Sequence, residues 1–413
     1  HRIGGPGRVD VSAGRHIDLG NAQGYVTRGN LDNPYLPEAG AALVLTAGTA
    51  AADYAGFAAA NMGVADFSDA DLAAMRAFIA SVAPGMPTGA TPETTWAAFG
   101  DLPKAERARF LEARRTPVND VFFTRVAEAA GAVGGGGLDL PAFDATIASL
   151  FPVTGVGAGN INVFGSQLKT ERGGSIDLFA PGGSIYAGLV SVPRYLATKA
   201  ASELGIFTIR GGEIRALVHD DVLVNQGRIF TLGGGDITLV SQYRDIDAGR
   251  GAKTAAATPP PVLLVDATGE AKLDVSGSIA GSGIATLKTD PALPDANVYP
   301  IAPRGVFDAG DAGIRSSGTV NIVAATVLNA NNIAASGGLA GAPAAPAAPA
   351  TAAAPPPGAK PEDVARGAGD RRDPAAQAAA SLSVEVVGYG PGAGDATPSE
   401  PPARDGKDKD SKS

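Results

Sequence analysis

One short pattern recurs along this chain, and it constrains the fold more than any other feature. Three consecutive units within residues 223–254 read QGRIFTL, GGDITLV and YRDIDAG, and their isoleucines are Ile229, Ile237 and Ile246. Alternation with a period of two places Ile229 and Thr231 on one face of a strand. Glycines between the units allow tight corners. A strand and a corner every eight or nine residues are typical of the sides of a parallel β-helix coil.

The same pattern recurs on both sides of this stretch. The copies are GNINVF (159–164), GGSIDLFA (173–180), GGSIYAG (182–188), GGEIRAL (211–217), VSGSIAG (275–281), APRGVFDAG (302–310), SGTVNIV (317–323) and, near the start, RVDVSAG (8–14) and RHIDLGN (15–21). One unit cannot bury its apolar face alone, so stacked coils are needed to form a continuous core. The alternative is an antiparallel sandwich, but the Asn-Gly and Asp-Gly dipeptides of tight hairpins are missing between the units. We therefore predict a mainly β chain that folds as a right-handed parallel β-helix.

The pattern changes to helical spacing between residues 53 and 151. Apolar residues recur every three to four positions in five segments, at 66–83, 92–99, 103–115, 118–131 and 140–151. We expect Ser68 to cap the first segment and Glu106 to pair with Arg109 in the third. These segments predict a small helical subdomain at 53–151, inserted between β-helix coils at 1–52 and 152–338.

The aromatic residues of the helical segments have two interpretations. They either pack the helices together and dock them on the solenoid, which we favour, or they form a surface for a partner. The residues concerned are Phe67, Phe78, Trp96, Phe99, Phe110, Phe122, Phe123, Phe143 and Phe151.

Irregular segments interrupt and end the repeat. Loops are expected at 189–204 and 252–262, and the run Pro259–Pro261 cannot donate hydrogen bonds to a sheet. Residues 339–413 are rich in Ala and Pro and are predicted to be a disordered tail, in which 381–390 is a candidate short strand.

Composition limits the classes of function. The net charge of −9 argues against a nucleic-acid surface and against adhesion to anionic membranes by charge. The chain has no cysteine, which excludes disulfides, thiolate zinc sites and cysteine nucleophiles. No apolar run reaches the length of about eighteen residues that a transmembrane helix needs. The three histidines, His1, His16 and His219, are scattered along the chain, so we predict no metal and no cofactor.

Carboxylate pairs are the residues that an enzyme on this scaffold would use, because glycoside hydrolysis needs two carboxylates across a sugar. The candidate pairs are Asp245 with Asp247, Asp308 with Asp311, and Asp220 with Asp221 beside His219. Each pair adjoins a Gly-rich corner, where Asp side chains commonly bond backbone amides of the turn, and we favour that structural role. A cleft lined by three or more acidic side chains from successive coils would favour an enzyme, and a smooth face rich in small residues would argue against one.

Other motifs fall short of a site. GGGDITLVS (233–241) resembles one nonapeptide of a calcium-binding β-roll, but the tandem copies that complete such a site are missing. Gly155, Gly157 and Gly159 do not complete a dinucleotide fingerprint, and no serine lies in a nucleophile-elbow motif. We predict no catalytic, cofactor-binding or metal-binding residues, and hence a protein that is not an enzyme.

Several ordered segments together resemble one family. They are LVNQGRIFTLGGGDITL, DIDAGRGAKT, GNLDNPYLPEAGAALVLTAG (29–48), DVFFTRVAEAAG (120–131), FAPGGSIYAG (179–188), GVFDAGDAGIRSSGTVNIVA (305–324) and VLNANNIAA (327–335). These segments look like the C-terminal domain, of unknown function, of large filamentous haemagglutinin-like exoproteins of Gram-negative bacteria. The resemblance covers roughly residues 20–338.

The resemblance implies a secreted or cell-surface protein that is exported by two-partner secretion. In that system an N-terminal domain engages an outer-membrane transporter, and the β-helix folds outside the cell. The chain begins at His1 rather than Met and lacks that secretion domain, so we expect it to be the C-terminal part of a longer exoprotein. The resemblance implies no catalytic residues.

The expected function is therefore a structural and adhesive display scaffold. Its expected partners are the outer-membrane transporter during export and a receptor or glycan on a host or neighbouring cell. A variant within this class is a terminal cap, formed by the helices at 66–151 or by the strand at 381–390, that covers the last coil. The competing class is a carbohydrate-active β-helix enzyme, a polysaccharide lyase or glycoside hydrolase, and a role in contact-dependent inhibition also stays open.

Overall fold

The fold is mainly β with parallel sheets, as the repeat predicts. A computed structural model describes residues 1–33, 35–49, 51–191, 199, 201–251, 261–265, 268–274 and 281–341. Within these ranges there are twenty-four β-strands and six α-helices. Every pairing between these strands is parallel except in one hairpin, β16 (Val262–Val265) with β17 (Ala271–Asp274). The predicted tail beyond residue 341, the candidate strand at 381–390 and nearly all of the repeat at 275–281 lie outside the described residues.

The parallel strands form three rows, in which each strand pairs with its counterpart from the next repeat. The first row is β1 (Arg2–Ile3), β4 (Tyr25–Thr27), β7 (Gln167–Thr170), β10 (Gly205–Thr208), β13 (Arg228–Thr231), β18 (Gly283–Thr286), β20 (Ile314–Ser316) and β23 (Ile333–Ala335). The second row is β2 (Gly7–Ala13), β5 (Ala41–Ala47), β8 (Ile176–Ala180), β11 (Ile214–Val218), β14 (Ile237–Ser241), the start of β19 (Val298–Asp308), β21 (Thr319–Asn321) and β24 (Gly338–Ala340). The third row is β3 (Ile17–Asp18), β6 (Ile161–Asn162), β9 (Ile185–Tyr186), β12 (Val222–Leu223), β15 (Ile246–Asp247), the end of β19 and the end of β22 (Val323–Leu328).

The inward side chains of the three rows form one apolar core. The units QGRIFTL, GGDITLV and YRDIDAG supply β13, β14 and β15, one strand to each row, as predicted. Their isoleucines, Ile229, Ile237 and Ile246, are buried in the same cluster. In the second row Ile176, Ile214 and Ile237 stand in register on adjacent strands. The repeated apolar position therefore becomes a column of stacked side chains.

The corner after the third row explains why glycine recurs there. Gly20, Gly249 and Gly310 each follow a third-row strand by two positions and have positive φ. Phe164 and Asn225 occupy the equivalent position at two other corners and also have positive φ. A Cβ atom on Gly249 would lie 2.0 Å from the carbonyl oxygen of Asn225, and one on Gly310 would lie 2.0 Å from that of Gly249. The backbone of the neighbouring repeat thus occupies the space that a side chain would need.

Six α-helices lie between β5 and β8. They are α1 (Tyr54–Asn61), α2 (Asp69–Val82), α3 (Pro92–Gly100), α4 (Lys104–Glu112), α5 (Arg115–Ala129) and α6 (Leu140–Leu150). The five predicted helical segments correspond to α2–α6, and α1 was missed. Ser68 caps α2, accepting a hydrogen bond from the Asp71 amide, and Glu106 pairs with Arg109 at 2.9 Å, as predicted.

The helices leave and rejoin the strands at nearly the same point. The Asp53 amide donates to the Leu150 carbonyl at 2.8 Å, which ties the two ends of the helical segment together. β5 and β8 pair directly, with Leu43 opposite Ile176, although the helices separate them in sequence. The strand rows therefore continue past the helices without a break.

The helices cover the outward face of the second row. Most of their aromatic residues form one buried cluster with the outward side chains Val44, Phe179, Leu217, Val240 and Ile301, and the partly buried Phe67, Phe78 and Trp96 pack against it. The packing interpretation of the aromatic residues is thus confirmed, and the interpretation as a free partner surface was wrong. The helices pack along the side of the second row, and the helical cap of the last coil stays a prediction.

Candidate ligand groove between helix and strands

A groove opens where α5 lies beside the second row of strands. The cavity has a volume of about 760 Å³. Its side chains come from α5 and from three adjacent strands with the corners before them: Asp120, Phe123, Thr124, Glu128, Glu213, Arg215, Asp236, Thr238 and Tyr299. We call it the α5 groove. It is polar and acidic, with one arginine at its floor.

Arg215 is the centre of the groove's charge network. Its side chain is 3% exposed, and its Nε donates to Asp177 Oδ1 at 2.7 Å. Its guanidinium also pairs with Asp120 of α5 and lies 3.5 Å from Glu213. Asp177 is itself fully buried, so two opposite charges are removed from water together. Such a pair is tolerated only when both groups are well bonded.

Further hydrogen bonds tie α5 to the same pair of charges. The Asn119 side-chain amide donates to Asp177 Oδ2 at 2.8 Å, and Asn119 Oδ1 accepts from the Tyr54 hydroxyl at 3.4 Å. The Arg215 guanidinium also lies 5.4 Å from the Phe123 ring centre. These contacts fix α5 against the strands and hold the groove open on one side.

The charges shift proton affinities within the groove. Burial alone would lower the pKa of Arg215, but the carboxylates of Asp177 and Asp120 outweigh it and raise that pKa above its ordinary value. Burial raises the pKa of the Glu213 carboxyl; Arg215 opposes this shift, and Asp120 and Asp236 add to it. The groove therefore combines a fixed cation with a carboxyl group that holds its proton more tightly than usual.

Sequence reasoning missed this network, although the repeat contained a signal for it. Asp177 and Arg215 each follow the inward isoleucine of their unit, in GGSIDLF and GGEIRAL, and the structure pairs them in register. Opposite charges at the same outward position of consecutive repeats therefore marked a contact. Nothing in the repeat indicated that α5 would cover that position.

The acidic pairs singled out in the sequence lie elsewhere. Asp247 Oδ1 accepts from the Gly249 amide at 2.7 Å, and Asp308 Oδ1 accepts from the Gly310 amide at 2.8 Å, as the turn interpretation predicts. Asp245 accepts from the Val306 amide at 2.7 Å. Asp220 contacts His219 at 2.9 Å. These groups support corners and do not line the α5 groove.

The histidines and the calcium-like motif stand apart from one another. His1 stacks on Tyr25, His16 accepts from the Asn160 amide, and the His219 ring contacts the Tyr243 ring at a tilted angle. In the β-roll-like segment, Asp236 accepts from the Asn297 amide at 2.7 Å. Across the described ranges, no three His, Asp or Glu side chains come together as a metal site would require. Those ranges also contain no helix with the length and apolarity to span a membrane.

Comparison with known proteins identifies one part of the chain. Residues 234–344, roughly a quarter of the sequence, match a family model described as a filamentous haemagglutinin family outer membrane protein. No curated protein and no solved structure gives a significant match. The matched segment runs from β14 to the end of the described strands and includes Asp236, Thr238 and Tyr299 of the α5 groove. Residues 234–344 are therefore similar to the filamentous haemagglutinin family, as the sequence resemblance indicated.

Proposed function

We propose that the three rows are the sides of a right-handed parallel β-helix. The support comes from the register: β10, β11 and β12 pair in parallel with β13, β14 and β15, each in its own row. Three strands and three corners in each repeat return the chain to the same row. The column of inward isoleucines then becomes the core of a solenoid.

We further propose that the chain is the C-terminal part of a surface-displayed adhesin of the filamentous haemagglutinin type. The observation that carries this proposal is the match of residues 234–344 to an outer membrane protein family. The rigid rows would serve as the support, and the α5 groove would be the displayed binding surface. Sites on such scaffolds commonly lie where loops and inserted elements project from regular structure. Export through a two-partner transporter is part of the same proposal.

Attachment to cells tests the adhesive role. Polystyrene beads coated with the purified chain should attach to cultured epithelial cells more often than beads coated with albumin. Thr124 is exposed in the groove, so Thr124→Arg should fill the groove and reduce attachment to near the albumin level. Ala80→Arg places the same side chain on an exposed position of α2 and should leave attachment unchanged. Equal attachment of chain-coated and albumin-coated beads would contradict the proposal.

A carbohydrate-active enzyme is the second candidate, and the groove supplies the observation that favours it. Glu213 and Asp236 come from successive repeats and line the groove together with Asp120, and a cleft lined by three acidic side chains is a feature of such enzymes. Each of these carboxylates is also engaged, two with Arg215 and one with Asn297. We therefore favour binding over catalysis. Release of new reducing ends from a polysaccharide by the chain, lost in Glu213→Gln, would establish the enzyme instead.

A further inference from the structure

A second cavity lies beside the first row of strands. The hairpin of β16 and β17 covers the outward face of that row, where Leu273 packs in a buried cluster with Phe207 and Phe230. Beside this cluster a cavity of about 270 Å³ remains between β17 and strands β4 and β7. We call it the hairpin cavity. Its volume suits one small molecule, since it is near the lower end of known ligand pockets, about 300 Å³.

Buried charged side chains line the hairpin cavity without forming close bonds to each other. Lys169 Nζ lies 3.8 Å from Glu171 Oε1, and Arg28 Nε lies 3.7 Å from Glu171 Oε2. Both distances are too long for hydrogen bonds. Arg28 has its other contact with Glu270, outside the cavity lining. Two cations, Lys169 and Arg28, thus share one carboxylate, Glu171, at distances that leave hydrogen-bonding capacity on all three side chains.

Specific atoms of these residues have unused hydrogen-bonding capacity. Within the part of the chain that the structure describes, Gln167 Oε1, Glu171 Oε2 and Arg28 Nη2 are buried and have no hydrogen-bond partner. Gln167 is only 7% exposed. Buried polar atoms in native proteins nearly always have a partner, so these atoms indicate something that occupies the cavity. Gln167 Oε1 and Glu171 Oε2 accept hydrogen bonds, and Arg28 Nη2 donates them. The occupant must therefore offer both hydrogen-bond donors and an acceptor.

Burial shifts the proton affinities of the charged groups in the cavity. Burial raises the pKa of the Glu171 carboxyl, and Lys169 and Arg28 only partly oppose that shift. Burial likewise lowers the pKa of the Lys169 ammonium, with Glu171 opposing. The lining as a whole carries four basic side chains, Arg2, Arg28, Lys169 and Lys272, against three acidic ones, Glu171, Glu203 and Asp274. Glu270, outside the lining, pairs with Arg2 and Arg28, so the unpaired donors and acceptors of the lining select the occupant more than its net charge does.

We propose that the hairpin cavity binds a single acidic sugar, a hexuronate. Its carboxylate would accept hydrogen bonds from Arg28 and Lys169, as carboxylates commonly do from buried cations. Its hydroxyl groups would donate to Gln167 Oε1 and Glu171 Oε2, the acceptors that lack partners. This site is separate from the α5 groove, and the inference does not depend on the adhesive role.

Calorimetric titration of the purified chain tests this inference. Sodium galacturonate should bind with a dissociation constant of about 1 mM or tighter, and galactose, which lacks the carboxylate, should bind at least tenfold more weakly. Lys169→Gln should weaken galacturonate binding at least tenfold. Arg315→Gln removes a cation from β20, in the same row but outside the cavity, and should leave binding unchanged. Circular dichroism would confirm that both variants are folded.

Three results would overturn the inference. No heat with galacturonate at about 10 mM, well above the expected dissociation constant, would mean that water alone fills the cavity. Equal binding of galacturonate and galactose would mean that the cations do not recognise a carboxylate. Binding of glycine in preference to galacturonate would assign the cavity to a zwitterion. The comparison of galacturonate, galactose and glycine uses the unaltered chain. It therefore tests the proposed hexuronate site even if Lys169→Gln does not fold.

Discussion

Replacing Arg215 by methionine should lower the free energy of unfolding by about 3–5 kcal/mol, the usual cost of removing one partner of a buried ion pair. Asp177 is fully buried and accepts directly from Arg215 Nε, so the variant leaves a carboxylate away from water without its cation. The same change also removes the ion pair between Arg215 and Asp120, which is one of the contacts that hold α5 on the strands. Urea denaturation followed by circular dichroism measures the loss.

Two further variants separate charge from packing at this site. Arg315→Met removes a half-buried arginine from β20 and should change stability by no more than about 0.5 kcal/mol. In the double variant Arg215→Met with Asp177→Asn, the uncompensated charge is gone, so part of the lost stability should return. A loss of under about 1 kcal/mol in Arg215→Met would show that the pair does not hold α5 in place.

Replacing Phe179 by alanine should cost about 3–5 kcal/mol, because the ring is buried on all sides. Phe179 points outward from β8 and meets aromatic rings of the helices: Phe123 at 5.5 Å, Phe151 at 5.2 Å and Phe122 at 6.0 Å between ring centres. The cavity would open at the junction of helices and strands. We therefore expect the helical circular-dichroism signal to disappear at a lower urea concentration.

The matched control for Phe179 is an aromatic residue on the surface. Tyr243 is 44% exposed, and Tyr243→Ala should cost about 1 kcal/mol or less. Equal losses in the two variants would contradict the view that the aromatic cluster docks the helices on the strands. A large loss confined to Phe179→Ala would support it.

Much of the strand arrangement could be predicted because the repeat is local. Each unit carries its inward isoleucine and its corner glycine within nine residues, so spacing alone predicts strands and corners. The helices α2–α6 have the same property, with apolar stripes and a capping serine at Ser68. Helix α1 was missed because half of YAGFAAAN is alanine and the segment presents no apolar stripe; the buried side chains of Tyr54 and Phe57 hold it in place.

The two cavities could not be predicted in the same way. The α5 groove depends on how α5 crosses β11 and β14, residues that are about a hundred positions away in sequence. The predicted loop at 252–262 lies outside the described residues except for its last two positions, and β16 begins at Val262 and pairs with β17. That hairpin packs on outward phenylalanines of the first row, and the sequence carries no periodic signal for such a contact. The hairpin cavity follows from it.

Cross-linking of adjacent repeats tests the stacked coils most directly. The chain has no cysteine, so an introduced pair reports on one contact only. Tyr186 and Leu223 stand in register on neighbouring strands of the third row, and Asn162 lies one strand further on. Adjacent strands are about 4.8 Å apart, within disulfide range, whereas two strands span about 9.6 Å, which a disulfide cannot bridge.

We expect Tyr186→Cys with Leu223→Cys to form an intramolecular disulfide under mild oxidation. The control pair, Asn162→Cys with Leu223→Cys, should stay reduced. Mass spectrometry of proteolytic peptides identifies the bond in each case. Failure of the first pair to cross-link, or equal cross-linking of both pairs, would contradict the stacking of β9 on β12 and with it the coils on which the proposed display function rests.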